Sequence, residues 1–232
     1  MRTAAFKATL SQFKITLLSA LVLCLFNAGF ILGDAQARWF QALNALMQFD
    51  RASILNGEIW RLFTGHLVNW SAEHFYLDAL VFIAQGMVFE PKIGRGYAQV
   101  LGIAGGAIGL ALLLFQNDLT AYRGISGLIN TQLVLGTGLF VFDPNLRRSV
   151  KAFYMAVLSV HMFKIAYETV FRVPFFITDA LGDMGLFTPL AHLGGVMVGL
   201  CYLLGSIQAG SKARQQLEMT KSSFTTPGPS MD

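Results

Sequence analysis

Six runs of uncharged or nearly uncharged residues divide the chain, at 15–32, 75–89, 97–115, 125–142, 152–170 and 190–207. Most approach the roughly 20 residues that carry a helix across a hydrocarbon core of about 30 Å at 1.5 Å per residue. The pattern therefore predicts six membrane helices. Arg2, Lys7 and Lys14 ahead of the first run, with Ala35-Gln36-Ala37 behind it, imitate a cleavable leader. The run itself holds 18 uncharged residues, beyond the roughly 7–15 of a leader's apolar region, so it is read as a retained helix. Residues 33–73 mix Trp39, Phe40, Trp60, Phe63 and Trp70 with charges, as expected of a structured loop lying in the membrane interface. From Ser211 onward the chain is polar, loses its apolar period and carries Pro227-Gly228-Pro229, which predicts disorder. The expected organisation is a cytoplasmic N-terminus (1–14), a six-helix membrane domain (15–208) and a disordered cytoplasmic tail (209–232).

Composition agrees with a bilayer. Of 232 residues, 54% are apolar and 13% charged, and the mean hydropathy is +0.55, too apolar for an ordinary soluble domain of this length. The expectation is an all-α membrane protein in which glycines allow close helix packing, Gly195 and Gly199 on helix six facing Gly127 and Gly136 on helix four. The glycines at 102, 105, 106 and 109 of helix three are likewise read as packing positions. Cys24 and Cys201 both fall in apolar runs, so neither a disulfide framework nor a metal-ligand spacing exists, and no metal or cofactor is expected.

The distribution of the basic residues sets the orientation, since Lys and Arg resist translocation. With the N-terminus inside, Arg2, Lys7, Lys14, Lys92, Arg95, Arg147, Arg148, Lys151, Lys212, Arg214 and Lys221 are cytoplasmic, while Arg38, Arg51, Arg61, Arg123 and Arg172 face out. Both termini are thus expected in the cytoplasm. Helices two, four and six then run from outside to inside, and polar residues occupy the outer first turn of each: His74 with Asp78, Ser126, and His192. Four residues separate His74 from Asp78, a descent of about 6 Å on one face. From Ser126 to Phe142 helix four spans about 25 Å, short of the ~30 Å core, so its start is submerged. Irregular backbone at that depth must border protein or water. Gly124-Ile125-Ser126-Gly127 should therefore edge an aqueous pocket, lined by Gly124 and, one turn in, Asn130.

A serine becomes a nucleophile only with a base, and His192 is the candidate. Serine and small residues are also ordinary packing elements of membrane helices. What points to catalysis is the shared depth of Ser126, His192 and His74. No acidic residue lies near His192 in sequence, so a Ser/His dyad is expected. Lys164 and Glu168, four apart on helix five, are expected to pair.

The motifs resemble those of the rhomboid family of intramembrane serine proteases across the six-helix core. Trp60-Arg61 resembles the Trp-Arg pair of that family's first loop, and Glu90 with Gly94 its acidic and glycine positions after helix two. Gly124-Ile125-Ser126-Gly127 matches G-x-S-G, and Ala191-His192-Leu193-Gly194-Gly195 matches A-H-x-x-G. The resemblance implies a rhomboid-like bundle with a long interfacial loop between helices one and two. It implies Ser126 as nucleophile, His192 as general base and acid, and His74 with the Ser126 N–H as oxyanion donors. Relatives carry asparagine where this chain has Asp78. An ionised aspartate donates no hydrogen bond, so Asp78 either stays protonated or, the expected role, orients His74. Trp60-Arg61-Leu62-Phe63-Thr64-Gly65-His66 is similar to rhombosortases, bacterial rhomboids thought to process proteins ending in Gly-Gly, an apolar helix and basic residues. His66 is read as a structural hydrogen-bonding residue, and Asn69 stands where relatives often have histidine. The implied setting is the bacterial inner membrane with the site facing the periplasm; the implied partners are the lipid bilayer and a transmembrane protein substrate, with no nucleic acid. The alternative, a catalytically silent binder of membrane clients, would be marked by loss of the serine or histidine, and both are present.

Overall fold

Apolar chain in lipid must satisfy its backbone internally, which favours helices, and the structure, a computed structural model describing residues 11–171 and 189–225, is mostly helical. The expected cytoplasmic segment up to residue 10 and the tail from 226 lie outside the described residues. Every apolar run falls on helix: α1 (Lys14–Phe26) with the short α2 (Ala28–Ile31), α6 (Ala72–Ile93), α7 (Tyr97–Phe115), α8 (Ser126–Val141), α9 (Arg148–Phe171) and α10 (Pro189–Thr225). Between α2 and α6 lie α3 (Arg38–Met47), α4 (Arg51–Leu55), α5 (Arg61–Thr64) and a 3-10 turn, Gly65–Leu67. Three stretches are long and apolar enough to cross a bilayer: 72–115, which contains α6 and α7, α9, and the Pro189–Lys212 part of α10. The apolar helices α1 and α8, with 13 and 16 residues, are shorter, about 20 and 24 Å against a core of about 30 Å.

Two elements differ from the reading of the sequence. The run 15–32 is broken at Asn27, whose backbone leaves the helical region (φ −111°, ψ 21°). Its fully buried side chain explains the break, donating to the carbonyls of Leu23 and Leu67 at 2.9 Å each and accepting from the Asn69 N–H at 3.1 Å. Asn27 thus fastens α1 to the loop ahead of α6. At the other end, the expected disordered tail is helical as far as Thr225. Ala209, Lys212, Ala213, Arg214, Gln215 and Gln216 are all good helix formers, and propensity carries the last apolar helix past its apolar end.

The interfacial loop is pinned by its arginines. Arg61, buried, donates from Nη1 to the carbonyls of Ala45 (2.6 Å) and Gln48 (3.0 Å), capping the C-terminal end of α3, and from Nε to Glu58 (2.6 Å). Arg51 donates to the Leu113 carbonyl near the end of α7 at 2.8 Å. Two short strands join the loop to the chain after α7: β1 (Phe49–Asp50) pairs antiparallel with β2 (Ala121–Tyr122), Phe49 opposite Tyr122. The helix-three glycines serve this loop, for added β-carbons at Gly106 and Gly109 would run into the Phe63 ring and the Leu62 backbone.

α8 is the axis of the bundle. It packs most extensively on α10 and also against α6, α9 and α7, and its polar Asn130, Thr131, Gln132 and Thr137 are buried within those contacts. α1 is held from the side: Glu90 on α6 accepts from the N–H groups of Ile15 (2.9 Å) and Thr16 (2.8 Å) and from the Thr16 hydroxyl (2.6 Å). A carboxylate at a helix N-terminus satisfies orphan amides and opposes the helix dipole. The outward faces carry Leu18, Leu25, Leu80, Phe115, Phe163 and Leu204, all exposed, as a lipid-facing surface does.

Candidate active site

The turn before α8 is fixed on several sides. Tyr122 is held in the β1–β2 pair; the Gly124 N–H donates to the Gly65 carbonyl at 3.0 Å; and the Tyr122 hydroxyl donates to the Gly124 carbonyl at 2.6 Å. His66, fully buried, bridges two carbonyls, with Nδ1 3.3 Å from Gly124 O and Nε2 3.1 Å from Gly105 O. This is the structural role read for it. Burial, the largest influence, pushes His66 below its ordinary value against the pull of both carbonyls, and burial likewise pushes the Tyr122 phenol up. Arg123 lies over the Trp70 ring at 4.4 Å and donates to Gln48 at 2.9 Å; burial pushes it down to about 10. Gly124 has φ +142°, a conformation L side chains rarely adopt, and an added β-carbon would sit 3.0 Å from His74 Cε1. Only glycine lets the turn pass this close to His74.

From that turn the chain enters α8 at Ser126, its first residue. His192 comes from the first turn of α10, which opens on Pro189, a residue whose fixed φ suits a helix start. Its Nε2 lies 3.0 Å from Ser126 Oγ. The helices meet so closely because a side chain on Gly195 would collide with the Gly127 carbonyl, while the Thr131 hydroxyl donates to Gly195 O at 3.0 Å. Of the other glycines expected at this contact, Gly199 does face α8, at Thr131 and Val134, whereas Gly136 instead receives the Phe89 ring of α6.

Across Gly124 lies the second pair. His74 is in the first turn of α6, where the N-cap Ser71 accepts its N–H at 3.2 Å. Its Nε2 is 3.1 Å from Asp78 Oδ2, and Asn69 Nδ2 donates to the same oxygen at 3.3 Å. The His74 Nδ1 is buried and has no partner among the described residues. Ser126, His192, Gly124, His74 and Asp78 therefore gather at one end of the bundle. Asn130, one turn into α8, is buried at the α8–α10 contact, where a β-carbon on Gly195 would meet its own at 3.0 Å.

One contact escaped the sequence reading. Glu168 on α9 places Oε2 3.0 Å from His192 Nδ1, and Lys164 donates to its Oε1 at 2.7 Å. The Lys164–Glu168 pairing follows from i,i+4 spacing. The histidine contact joins residues 24 apart on two different helices, and no sequence spacing signals it. Among the described residues, no group of three or more His, Cys, Asp or Glu side chains is arranged to hold a metal ion.

Residues 56–208 match the family model of the Rhomboid domain. No curated protein matches the chain.

Proposed function

Because the chain belongs to the rhomboid family, whose members are generally intramembrane serine proteases, we propose that it is an integral membrane endopeptidase cleaving a transmembrane segment of another protein near that segment's outer end. The observation that carries this reading is the 3.0 Å contact between Ser126 Oγ and His192 Nε2. Ser126 attacks the scissile carbonyl carbon while His192 Nε2 takes the hydroxyl proton. The oxyanion is met by the Ser126 N–H, the first amide of α8 and so unused within the helix, and by His74. The C–N bond then breaks, the leaving amine takes the proton from His192, and the acyl group stays on Ser126. Water adds to the ester carbonyl, passing a proton to His192, and the acid product departs as that proton returns to Ser126. Asp78 acts through His74: at rest its Oδ2 accepts the Nε2–H of the ring, and in the transition state that same N–H is shared with the oxyanion, since a neutral imidazole has one N–H to give.

The site faces the periplasm of a bacterial cytoplasmic membrane, with both termini in the cytoplasm, a reading supported by the excess of Lys and Arg in the inner segments. The substrate is rhombosortase-type: Gly-Gly, an apolar helix and basic residues at the C-terminus. Trp60 to His66 support that assignment, and glycine favours it chemically, since a helix must unwind before its carbonyl can be reached. Reconstitution with a Gly-Gly-tailed substrate tests the reading. Wild type cleaves, Ser126→Ala and His192→Ala do not, and cleavage that survives both changes removes it.

A further inference from the structure

His192 needs its Nε2 lone pair directed at Ser126, yet imidazole has two neutral tautomers, and nothing in the Ser126 contact chooses between them. The choice is made on the other side of the ring. Glu168 Oε2 stands 3.0 Å from Nδ1, and an ionised carboxylate only accepts hydrogen bonds, so the proton belongs on Nδ1. Resting on the reading of Ser126 and His192 as nucleophile and base, we propose that Glu168 is a positioning residue that completes a Ser–His–Glu array and is itself fixed by Lys164.

Glutamate has a flexible side chain, and one contact would not hold it. Here each oxygen has its own partner, Lys164 on Oε1 at 2.7 Å and His192 on Oε2 at 3.0 Å, and the side chain is 3% exposed. The two residues sit one helical turn apart on α9 near its Phe171 end, so a single helix delivers both. Charge supports the assignment as strongly as geometry does. Before attack the Lys164 and Glu168 charges cancel, and the array is neutral. When His192 takes the serine proton the array becomes +1, opposite the −1 of the oxyanion. Between side chains as buried as these, such interactions are stronger than in bulk water. The competing role is a brace between α9 and α10, which would change stability and leave serine reactivity alone.

The test uses the full chain in detergent micelles and a fluorophosphonate probe. The probe bonds phosphorus to Ser126 Oγ, releases fluoride and passes the serine proton to His192, so it reads serine activation without a known substrate. Glu168→Gln offers an amide N–H to Nδ1, favours the wrong tautomer, and labels roughly 10²- to 10⁴-fold more slowly than wild type. Glu168→Asp recovers part of the rate. Should Glu168→Gln fold poorly because Lys164 is left unpaired, the double variant Lys164→Met/Glu168→Gln removes both charges and shows the same slow labelling at a wild-type melting temperature. In the unaltered protein, ¹⁵N NMR, with His192 assigned by its loss in His192→Ala, finds the ring proton on Nδ1. Wild-type labelling in a folded Glu168 variant, or a proton on Nε2, overturns the Glu168 assignment while Ser126→Ala and His192→Ala stay unlabelled. Labelling that persists in Ser126→Ala instead overturns the nucleophile itself.

Discussion

Replacing Asp78 by asparagine separates a carboxylate that orients His74 from one whose own chemistry is needed. Asp78 Oδ2 accepts from Asn69 at 3.3 Å and faces His74 Nε2 at 3.1 Å, and the Asp78 and His74 side chains are 13% and 15% exposed. An amide oxygen accepts the same two bonds, so the ring keeps its direction and only the charge assistance is lost. Hydrogen bonds to charged groups contribute about 1.5–3 kcal/mol and neutral ones about 0.5–1.5. The difference is about 1 kcal/mol, or roughly fivefold in rate if all of it is felt in the transition state. Asp78→Asn should therefore cleave within about tenfold of wild type in either direction. Losing the donor altogether, in His74→Ala, costs roughly 10²- to 10³-fold in kcat. Asp78→Ala, with no acceptor, should fall between the two. Initial cleavage rates in proteoliposomes, normalised to the folded fraction from thermal unfolding, give the comparison. An Asp78→Asn protein that melts like wild type but does not cut would refute the orienting role.

Three further outcomes follow from the same contacts. Gly124→Ala forces a β-carbon to φ +142° and to 3.0 Å from His74 Cε1; the strain costs about 1–3 kcal/mol in thermal unfolding, and cleavage drops by more than that loss of folded protein accounts for. Glu90→Ala strips three donors of α1 of their acceptor and should destabilise by about 2–5 kcal/mol, with Glu90→Gln milder because one acceptor oxygen remains. His66 is held below its ordinary value by burial, so as pH falls through about 6.5 the unfolded chain takes up a proton that the folded chain refuses. Wild type should then lose up to about 1.4 kcal/mol per pH unit relative to His66→Gln; parallel stability curves for the two proteins would contradict this.

The meeting of Ser126 and His192 was legible in the sequence because each sits in a short local motif at the start of an apolar run, and the period of those runs sets their depth. His74 and Asp78 were legible for the same reason, being four apart on one helix. Glu168 was not: its contact with His192 arises when α9 packs beside α10, and packing of two apolar helices leaves no periodic trace. The β1–β2 pair is two residues per strand, too short for alternation to show, yet it helps to fix the turn that leads into Ser126. Asn27 was hidden differently, as one uncharged residue inside an uncharged run, where hydropathy records no break and only its three tertiary hydrogen bonds create one. The α10 extension to Thr225 reflects propensity where polarity alone suggested disorder.

The bonds that Glu90 makes to Ile15 and Thr16 reach across about 75 residues of chain. During synthesis α1 emerges first, and its leading amides have no protein acceptor until α6 has been made. They must be hydrated at the membrane surface in the meantime. The contact therefore carries an order in time: the leading amides of α1 can meet this acceptor only once α6 has been translated, after the loop that Asn27 fastens.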